Sequence, residues 1–529
     1  MTPRDDVLPA RRPARTAGTG ARVDDGNRIV VIGGGFGGIA AALRLRAQGR
    51  PVTLIDRLDR LGGRAQVYEI DGVRHDAGPT VVTAPHLFDE LFALFGRRRE
   101  DYVRFLPVAP WYRIRFADRE HLDYGPGEDA TLAEVQRLSP GDVDGFRRLR
   151  AHAGRLFARG FEDLGAHPFH RVGDLVREAP QLLRLGAHRS VYATVSRYLK
   201  DPRLRQAFSL QPLLIGGDPF RTTAIYLLIQ ELEMRWGVVY PQGGTGALVD
   251  ALTALLREAG VDLRLGTTVE AIETEGRRVR GVRLEGGGRL PAAAVVVNGD
   301  PAHVHARMLP GLARRRWTDR RLARLKYTAG LVVLYFATDV PYPDVAHHTI
   351  LLGGDFRGEL DAIFRRRALV PRPSLYLHRP AATDPAMAPP GGDAFYALAV
   401  VPNLQAGIDW AAAEPAVRAG MIGHLEATVL PGLRRHLVSA AVRTPEDFRD
   451  AYLSHHGTGF TIQPLFTQSA WFRFHNRSEE AAGLYFVGAG THPGAGLPGV
   501  VTSAKIVERL VAEDLPPKDL PVPAAARHG

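Results

Sequence analysis

The chain has 529 residues, of which 45% are hydrophobic and 24% charged, and its mean hydropathy is −0.12. This length exceeds a single ordinary core, so two intertwined or successive domains are expected. No run reaches the roughly 18 apolar residues that a membrane-spanning helix requires, and no secretory signal is recognised. The chain has no cysteine, which excludes disulfides, thiolate metal sites and iron–sulfur clusters.

The formal charge is +11, from 68 basic and 57 acidic residues. An arginine-rich coding bias, an anionic membrane surface and nucleic acid each offer a reason for such an excess. No RNP, zinc-finger or helix-turn-helix pattern accompanies it, so the sequence predicts no nucleic-acid partner.

The first structural signal along the chain is a complete β-α-β unit. It follows residues 1–26, which are rich in proline, arginine and glycine and are predicted to form a disordered tail. The unit consists of a buried strand at 29–32, a glycine turn at 33–38, an alanine-rich helix at 39–48 and a second strand at 52–55.

Gly33, Gly35 and Gly38 form a Gly-x-Gly-x-x-Gly pattern between the first strand and the helix. In dinucleotide-binding turns the first glycine allows the tight turn, the second admits the pyrophosphate, and the third lets the helix pack on the strand. The helix N-terminus adds free N–H groups for the phosphates. Asp56 ends the second strand and is placed to accept hydrogen bonds from a ribose. The unit therefore predicts a dinucleotide cofactor.

A second glycine turn, Gly62-Gly63-Arg64, follows directly. NAD-dependent dehydrogenases do not require it, whereas in flavoproteins of the two-dinucleotide-binding class such a turn and arginine border the FAD pyrophosphate and isoalloxazine. Residues 76–80 offer another close approach of backbone at a strand end. FAD is therefore the predicted cofactor.

The middle of the chain alternates between helical and α/β sections. Residues 91–235 are predicted to be mostly helical, with amphipathic stretches at 143–157, 172–185 and 190–199. An α/β pattern then returns, with a helix at 247–259 and strands at 262–265, 279–284 and 294–297. In this class of flavoprotein the backbone at Val269 commonly meets the adenine edge.

Later strands are predicted at 331–336, 375–378 and 395–401. The segment 484–505 then returns to a strand, a glycine-rich turn and a helix. Its residues Gly488, Gly490 and Gly499 let backbone lie close to a ligand. Cofactor-type segments thus occur three times, separated by two long insertions.

These elements predict an α/β (mixed α+β) fold. We expect a Rossmann-like FAD-binding domain of the two-dinucleotide-binding flavoprotein type, interrupted by a mixed substrate domain with a helical, membrane-facing subdomain. The predicted boundaries are a tail at 1–26, an FAD-binding domain formed by 27–90, 236–302 and 452–515, a helical, membrane-associating insertion at 91–235, a substrate domain at 303–451 and a flexible C-terminal tail at 516–529.

The order of these pieces resembles the bacterial-type phytoene desaturases of the carotenoid/retinoid oxidoreductase family, across residues 28 to about 512. Six stretches carry the resemblance: DAGPTVVT at 76–83, IGGDPF at 215–220, YPQGGTGAL at 240–248, AHHTI at 346–350, TQSAWFRFHNR at 467–477 and GAGTHPGAGLPG at 488–499. The last two are the most specific to that family.

The resemblance implies a non-covalent FAD and a long C40 polyene threaded into an apolar tunnel beside the flavin. Phytoene would be converted towards neurosporene or lycopene by hydride transfer to the flavin and proton loss from the adjacent carbon. A quinone or oxygen would accept the electrons, and the oligomeric state is left open.

Few polar residues are candidates for that chemistry. Asp174 and Arg177 lie three residues apart on a predicted helix, in a segment where the resemblance implies an acid and a base facing the substrate; a surface salt bridge is the alternative. His348 is the next candidate, and if its segment is a strand His347 points the opposite way; a buried, hydrogen-bonded histidine is the alternative. His492 is expected to position the flavin. No metal site is predicted, because no zinc-type spacing of histidine and carboxylate is present.

Contact with a membrane is expected because a C40 hydrocarbon is insoluble in water. Residues 171–200 interleave leucine and valine with six basic residues. Such a helix can lie in the membrane interface, whereas a solvated helix packing inward is the alternative. The predicted location is cytoplasmic, peripherally associated with the membrane.

Three rival functions stay open. The first is a sibling carotenoid enzyme: a hydroxycarotenoid 3,4-desaturase, a C30 diapophytoene desaturase or a carotenoid isomerase. The second is a flavin amine oxidase. The third is a non-catalytic binder of prenylated proteins that shares the fold but has lost the flavin contacts.

Overall fold

Two main sheets and three small ones organise the structure, a computed structural model that describes residues 27–516. The predicted tails at 1–26 and 516–529 lie outside the described residues, apart from Pro516. The strands are β1 Ile29–Ile32, β2 Val52–Ile55, β3 Val67–Ile70, β4 Val73–Asp76, β5 Phe105–Pro107, β6 Tyr112–Arg115, β7 His121–Tyr124, β8 Val239–Pro241, β9 Asp262–Arg264, β10 Val269–Glu275, β11 Arg278–Leu284, β12 Arg289–Pro291, β13 Ala294–Val297, β14 Gly330–Thr338, β15 His348–Leu351, β16 Leu375–His378, β17 Asp393–Val401, β18 Leu437–Arg443 and β19 Leu484–Phe486.

Helices surround both sheets. They are α1 Phe36–Ala47, α2 His86–Ala93, α3 Gly127–Leu138, α4 Val143–Phe157, α5 Val172–Arg184, α6 Val191–Val195, α7 Pro202–Ala207, α8 Leu228–Trp236, α9 Gly244–Glu258, α10 Pro301–Arg307, α11 Asp319–Arg324, α12 Phe356–Asp361, α13 Trp410–Thr428, α14 Leu433–His436, α15 Pro445–Tyr452 and α16 Leu497–Asp514. Within the described range no helix combines the length and the apolar character needed to cross a membrane.

The first main sheet is parallel and has the strand order β19-β13-β1-β2-β9. Its central strand β1 reads Ile-Val-Val-Ile, as expected for a strand covered on both faces. Val31 packs among helix side chains, whereas Val30 packs against the small sheet β10-β11-β12. The three cofactor-type segments of the sequence thus converge on one sheet, which confirms the predicted fold class of the FAD-binding part.

The second main sheet has seven strands in the order β18-β14-β17-β16-β15-β6-β7. All its neighbours are antiparallel except β15 and β6. On one face Val332, Leu334 and Phe336 of β14 pack among residues of α13, while alternate residues of the same strand face a cavity. Strands β6 and β7 come from the segment 91–235, which was predicted to be mostly helical.

Most predicted elements are confirmed within a few residues, and two differ. Helix α1 begins at Phe36 rather than at residue 39, so Gly38 lies inside its first turn, where it packs against the carbonyl of Gly33. The helix predicted at 190–199 is reduced to the five residues of α6, in which β-branched valine and threonine limit helix propensity.

Candidate active site

A continuous cavity of about 610 Å³ runs between the two main sheets, a volume typical of ligand sites. Its lining changes along its length from glycine turns of the parallel sheet to aliphatic and aromatic side chains of the seven-stranded sheet. Of the eleven residues predicted to bind the cofactor, nine line this cavity: Gly33, Gly35, Asp56, Gly62, Gly63, Arg64, Val269, Gly490 and Gly499.

The other two predicted glycines, Gly38 and Gly488, lie just behind the cavity wall. A Cβ atom at Gly38 would be 1.9 Å from the carbonyl oxygen of Gly33, and one at Gly488 would be 2.4 Å from Oδ1 of Asn298. At Gly38 the contact is with backbone that cannot move aside, and at Gly488 it is with the Asn298 side chain while a φ of +93° also favours glycine. They shape the glycine-lined end of the cavity without lining it.

Asn298 is a site residue that the sequence reasoning missed. It follows β13, and its Nδ2 donates to the carbonyl of Gly33 at 3.3 Å. Its side chain fills the space left by Gly35, Gly37 and Gly488, because a Cβ at any of the three would come within 2.9 Å of it. The available signal was a polar residue at the carboxyl end of a buried parallel strand, which is where such sheets bind ligands.

Asp56 and Arg64 are both held in place by hydrogen bonds. The carboxylate of Asp56 accepts from the backbone N–H groups of Gly34 at 2.6 Å and Leu58 at 2.8 Å. Burial raises the pKa of Asp56, and these two hydrogen bonds oppose that shift. The guanidinium of Arg64 donates to Ser454 Oγ at 2.7 Å and to the carbonyl of Phe460 at 2.9 Å, and burial lowers its pKa.

The other part of the cavity is apolar. Its floor is the seven-stranded sheet, where Leu331, Val333 and Tyr335 of β14 lie beside Tyr396, Leu398 and Val400 of β17. Its roof comes from the segment 91–235 and includes Leu175, Ala179 and Leu182 of α5. The i, i+4, i+7 spacing of these three residues places them on one face of the helix.

Asp174 and Arg177 are not among the residues that line the cavity. They form an ion pair of 3.3 Å in which the Arg177 side chain is 64% exposed and that of Asp174 is 14% exposed. Asp174 also caps α5, because its carboxylate accepts from the backbone N–H of Arg171 at 3.3 Å. The arrangement therefore favours the salt-bridge alternative over an acid and a base that face the substrate.

His348 does not line the cavity but contacts a residue that does. It is fully buried, and its Nδ1 is 2.7 Å from the hydroxyl of Tyr376, which does line the cavity. The expectation that His347 and His348 point to opposite faces is wrong, because their ring centroids are 4.4 Å apart. His347 precedes β15 instead of belonging to it, so strand alternation does not separate the two rings. Burial lowers the pKa of His348 well below its usual value.

His492 lines the cavity within the last glycine turn, as expected of a residue close to the flavin. Its Nε2 is 3.2 Å from the carbonyl oxygen of Leu164, so this nitrogen carries the proton. Burial lowers the pKa of His492 to about 4.

Glu233 of α8 is a second cavity residue that the sequence reasoning missed. Its side chain is fully buried; Oε1 accepts from the hydroxyl of Tyr112 at 2.8 Å and Oε2 has no hydrogen-bond partner. Burial raises the pKa of Glu233 to about 7, although the hydrogen bond from Tyr112 opposes the shift. A glutamate on an amphipathic helix gives no signal of such burial.

Comparison with known proteins decides the family. The model of the family described as flavin containing amine oxidoreductase matches residues 36–507. The lycopene-forming phytoene desaturase of Pseudescherichia vulneris is 46% identical over 92% of this chain and 99% of its own. The neurosporene-forming phytoene desaturase of Rhodobacter capsulatus is 44% identical over 94% of this chain and 96% of its own. The chain belongs to the bacterial phytoene desaturase family.

Membership of the phytoene desaturase family confirms several predictions. FAD is the cofactor, and the chain is an FAD-dependent oxidoreductase that acts on CH–CH bonds. The alternative of a non-catalytic binder of prenylated proteins is therefore wrong. The glycine-lined end of the cavity fits FAD, because the bare backbone of Gly33 and Gly35 and the N-terminus of α1 face it.

Solved structures show how widely the phytoene desaturase fold is shared. An oxidoreductase of Methanosarcina mazei superposes with a TM-score of 0.62 at 18% identity, over 91% of this chain and all of its own. A putrescine oxidase variant gives 0.62 at 14% identity, over 92% of this chain and 98% of its own. At these identities the likeness is one of fold alone, and it confirms the two-dinucleotide-binding flavoprotein architecture.

In this phytoene desaturase relative, Glu233 should make stability depend on pH. A carboxyl whose pKa rises from 4.5 in the unfolded chain to about 7 in the folded one stabilises the fold below pH 4.5 and loses that contribution as pH rises through 7. The shift is worth about 3 kcal/mol. From pH 5 to pH 8 we expect the unfolding free energy of wild type to fall by about 2.5 kcal/mol more than that of Glu233→Gln, measured by urea denaturation.

The matched control is Glu275→Gln, whose side chain is 73% exposed and should leave the pH dependence unchanged. Equal pH slopes for wild type and Glu233→Gln would show that the buried carboxyl does not carry the effect.

Proposed function

We propose that this carotenoid desaturase introduces double bonds into phytoene, towards neurosporene or lycopene. The observation that carries the proposal is the continuity of the glycine-lined and apolar parts of one cavity. From β14 to β15 the apolar part spans three strand spacings, about 14 Å, and accommodates an extended polyene segment. The names of the relatives in Pseudescherichia vulneris and Rhodobacter capsulatus point to the same substrate and to these two products.

The predicted cofactor residues are assigned roles by their places around the cavity. Gly33 and Gly35, with the N-terminus of α1, would hold the pyrophosphate. Asp56 would bind a ribose hydroxyl, and the backbone of Val269 would meet the adenine. Gly62, Gly63, Arg64, Gly490 and Gly499 would enclose the flavin end. FAD, when bound, supplies the acceptor for the hydride that leaves the substrate.

The protein itself aligns the substrate and excludes water from the cavity. Aliphatic walls on β14, β17 and α5 hold an extended hydrocarbon in one path and exclude water from it. Among the predicted catalytic residues, His348 would act through Tyr376, whose hydroxyl lies between the imidazole and the cavity. His348 is therefore assigned as a positioning residue rather than as a group that touches the substrate.

Asp174→Asn should retain FAD and turn over phytoene within about threefold of the wild-type rate. The reason is that the Asp174 carboxylate caps α5 and pairs with Arg177 outside the cavity. Product formation and flavin content are measured on the same preparation. A loss of turnover with full flavin content would restore Asp174 and Arg177 as the acid–base pair that the sequence predicted.

We further propose that α5 lies on the membrane. Among the described residues five large hydrophobic side chains are exposed, and three of them, Val172, Val176 and Leu183, are on α5. Exposed basic residues flank them at Arg171 and Arg184. The same helix presents its other apolar face to the cavity, so a lipid-soluble substrate would enter from the surface on which α5 rests. This arrangement supports a peripheral position on the cytoplasmic membrane.

The double variant Val176→Asp/Leu183→Asp should abolish most co-sedimentation with anionic liposomes, because two carboxylates are repelled by the lipid surface. The matched control is Val438→Asp, since Val438 is also exposed, at 56%, but lies in another part of the molecule. Equal sedimentation of both variants would contradict membrane docking through α5.

The proposed reaction is tested with the holoenzyme, phytoene-loaded liposomes and either a quinone under anaerobic conditions or oxygen, followed by pigment chromatography. We expect neurosporene or lycopene, and the arm that sustains turnover identifies the electron acceptor. Phytoene recovered unchanged in both arms would contradict the proposal.

A further inference from the structure

Three histidines form a buried cluster next to the cavity. His348 and His378 lie directly opposite each other in the antiparallel pair β15–β16, and His347 precedes β15. The Nε2 atoms of His347 and His378 are 3.1 Å apart. One ring nitrogen from each of the three histidines lies within 4.8 Å of the other two. All three residues are at most 2% exposed.

The hydrogen bonds within the cluster leave ring nitrogens unused. Nδ1 of His347 and Nε2 of His348 are buried and have no hydrogen-bond partner. A buried polar atom without a partner costs about 1–3 kcal/mol.

Two carboxyl groups lie one side chain away from the cluster. Tyr240, 4.7 Å from His347 between ring centroids, donates its hydroxyl to buried Asp76 at 2.7 Å. Tyr112, 5.6 Å from His348, donates to buried Glu233. Arg379, the cation that faces His347, is itself paired with Asp393 at 2.8 Å. A dication in the cluster would favour the ionised form of both carboxyl groups, which would then balance its charge.

We propose that His347, His348 and His378 bind one divalent transition-metal ion of the class that prefers imidazole, with Zn²⁺ as the representative. Three imidazoles without thiolate or carboxylate favour Zn²⁺, Cu²⁺, Ni²⁺ or Fe²⁺ over Mg²⁺ and Ca²⁺. Tetrahedral bonds of 2.0–2.1 Å place ligand nitrogens about 3.4 Å apart, so the present spacing closes around an ion by small ring movements. This ion was not expected from the sequence, because the two strands that carry the ligands are separated by a helix and a loop.

An ion at this position would fix a side chain of the cavity wall. When Nε2 of His348 binds the metal, its proton resides on Nδ1, and Nδ1–H donates to the hydroxyl oxygen of Tyr376, 2.7 Å away. The ion would also join β15 to β16 across their histidine pair. The site is thus assigned as a structural one that sets the position of Tyr376.

The test uses the holoenzyme purified without chelators, exposed to excess Zn²⁺ and passed through gel filtration. Elemental analysis should give close to one zinc per chain, and X-ray absorption should show imidazole nitrogens at about 2.0 Å. The variants His347→Gln and His378→Gln should each lower zinc retention at least tenfold. Flavin absorption verifies that each variant is folded.

The matched control is His305→Gln, because His305 is equally buried, at 2% exposure, but its ring stacks on Trp317 and Phe474. It should retain the zinc. Less than a tenth of an ion per wild-type chain, or equal zinc in His347→Gln and wild type, would overturn the proposal. Because the readout is metal content, it is independent of whether phytoene is the substrate.

Discussion

Gly38→Ala should weaken FAD retention by roughly 50-fold or more. The added Cβ would lie 1.9 Å from the carbonyl oxygen of Gly33, which belongs to the backbone, so no flexible side chain can move aside. Helix α1 must then shift away from β1, at a cost of about 2–3 kcal/mol for an overpacked contact. The shift displaces the helix N-terminus that would face the pyrophosphate. Flavin content after gel filtration, or titration of the apoprotein with FAD, measures the effect.

Gly141→Ala is the control for this substitution. Gly141 is exposed, has no neighbouring atom within 4 Å of a Cβ, and lies far along the chain from every cofactor segment. It should bind FAD as wild type does. Normal FAD affinity in Gly38→Ala would mean that α1 does not need its close approach to Gly33.

Leu398→Asp should lower kcat/KM for phytoene at least 100-fold while leaving FAD bound. Leu398 of β17 faces the apolar part of the cavity, between Tyr396 and Val400. A carboxylate there is hydrated in the empty cavity. A hydrocarbon that binds must displace this water, so the desolvation of the carboxylate raises the free energy of binding. The cost of several kcal/mol exceeds the roughly 2.7 kcal/mol that a 100-fold effect requires.

Leu94→Asp supplies the comparison, because Leu94 is 37% exposed and does not line the cavity. Its kcat/KM should remain within twofold of wild type. If Leu398→Asp also desaturates phytoene normally, the substrate does not pass over β17.

Local signals in the sequence predict the cofactor half of this molecule well. The β-α-β unit, the second glycine turn and the glycine-rich turn near the C-terminus are each marked by glycines at a strand end. The structure brings these segments onto one parallel sheet. Asn298 escaped prediction because its function depends on three glycines from two distant segments, Gly35, Gly37 and Gly488. Only the fold shows that they surround one side chain.

The substrate half was predicted less well, for reasons that are equally physical. Strands β6 and β7 have four residues each and lie between helices, so their period of two is too short to stand out. Glu233 and His378 acquire their burial from tertiary packing that no local pattern records. For Asp174 and Arg177 the spacing predicts the ion pair on α5, but no local pattern records that neither residue lines the cavity.

The most direct test of a polyene cavity continuous with the FAD site is a single turnover without an electron acceptor. The oxidised holoenzyme is mixed anaerobically with phytoene-loaded liposomes while the visible spectrum is recorded. We predict loss of the oxidised-flavin absorption together with the appearance of a longer conjugated polyene, at the same rate. Flavin that stays oxidised with phytoene present, yet is reduced at once by dithionite, would contradict the account.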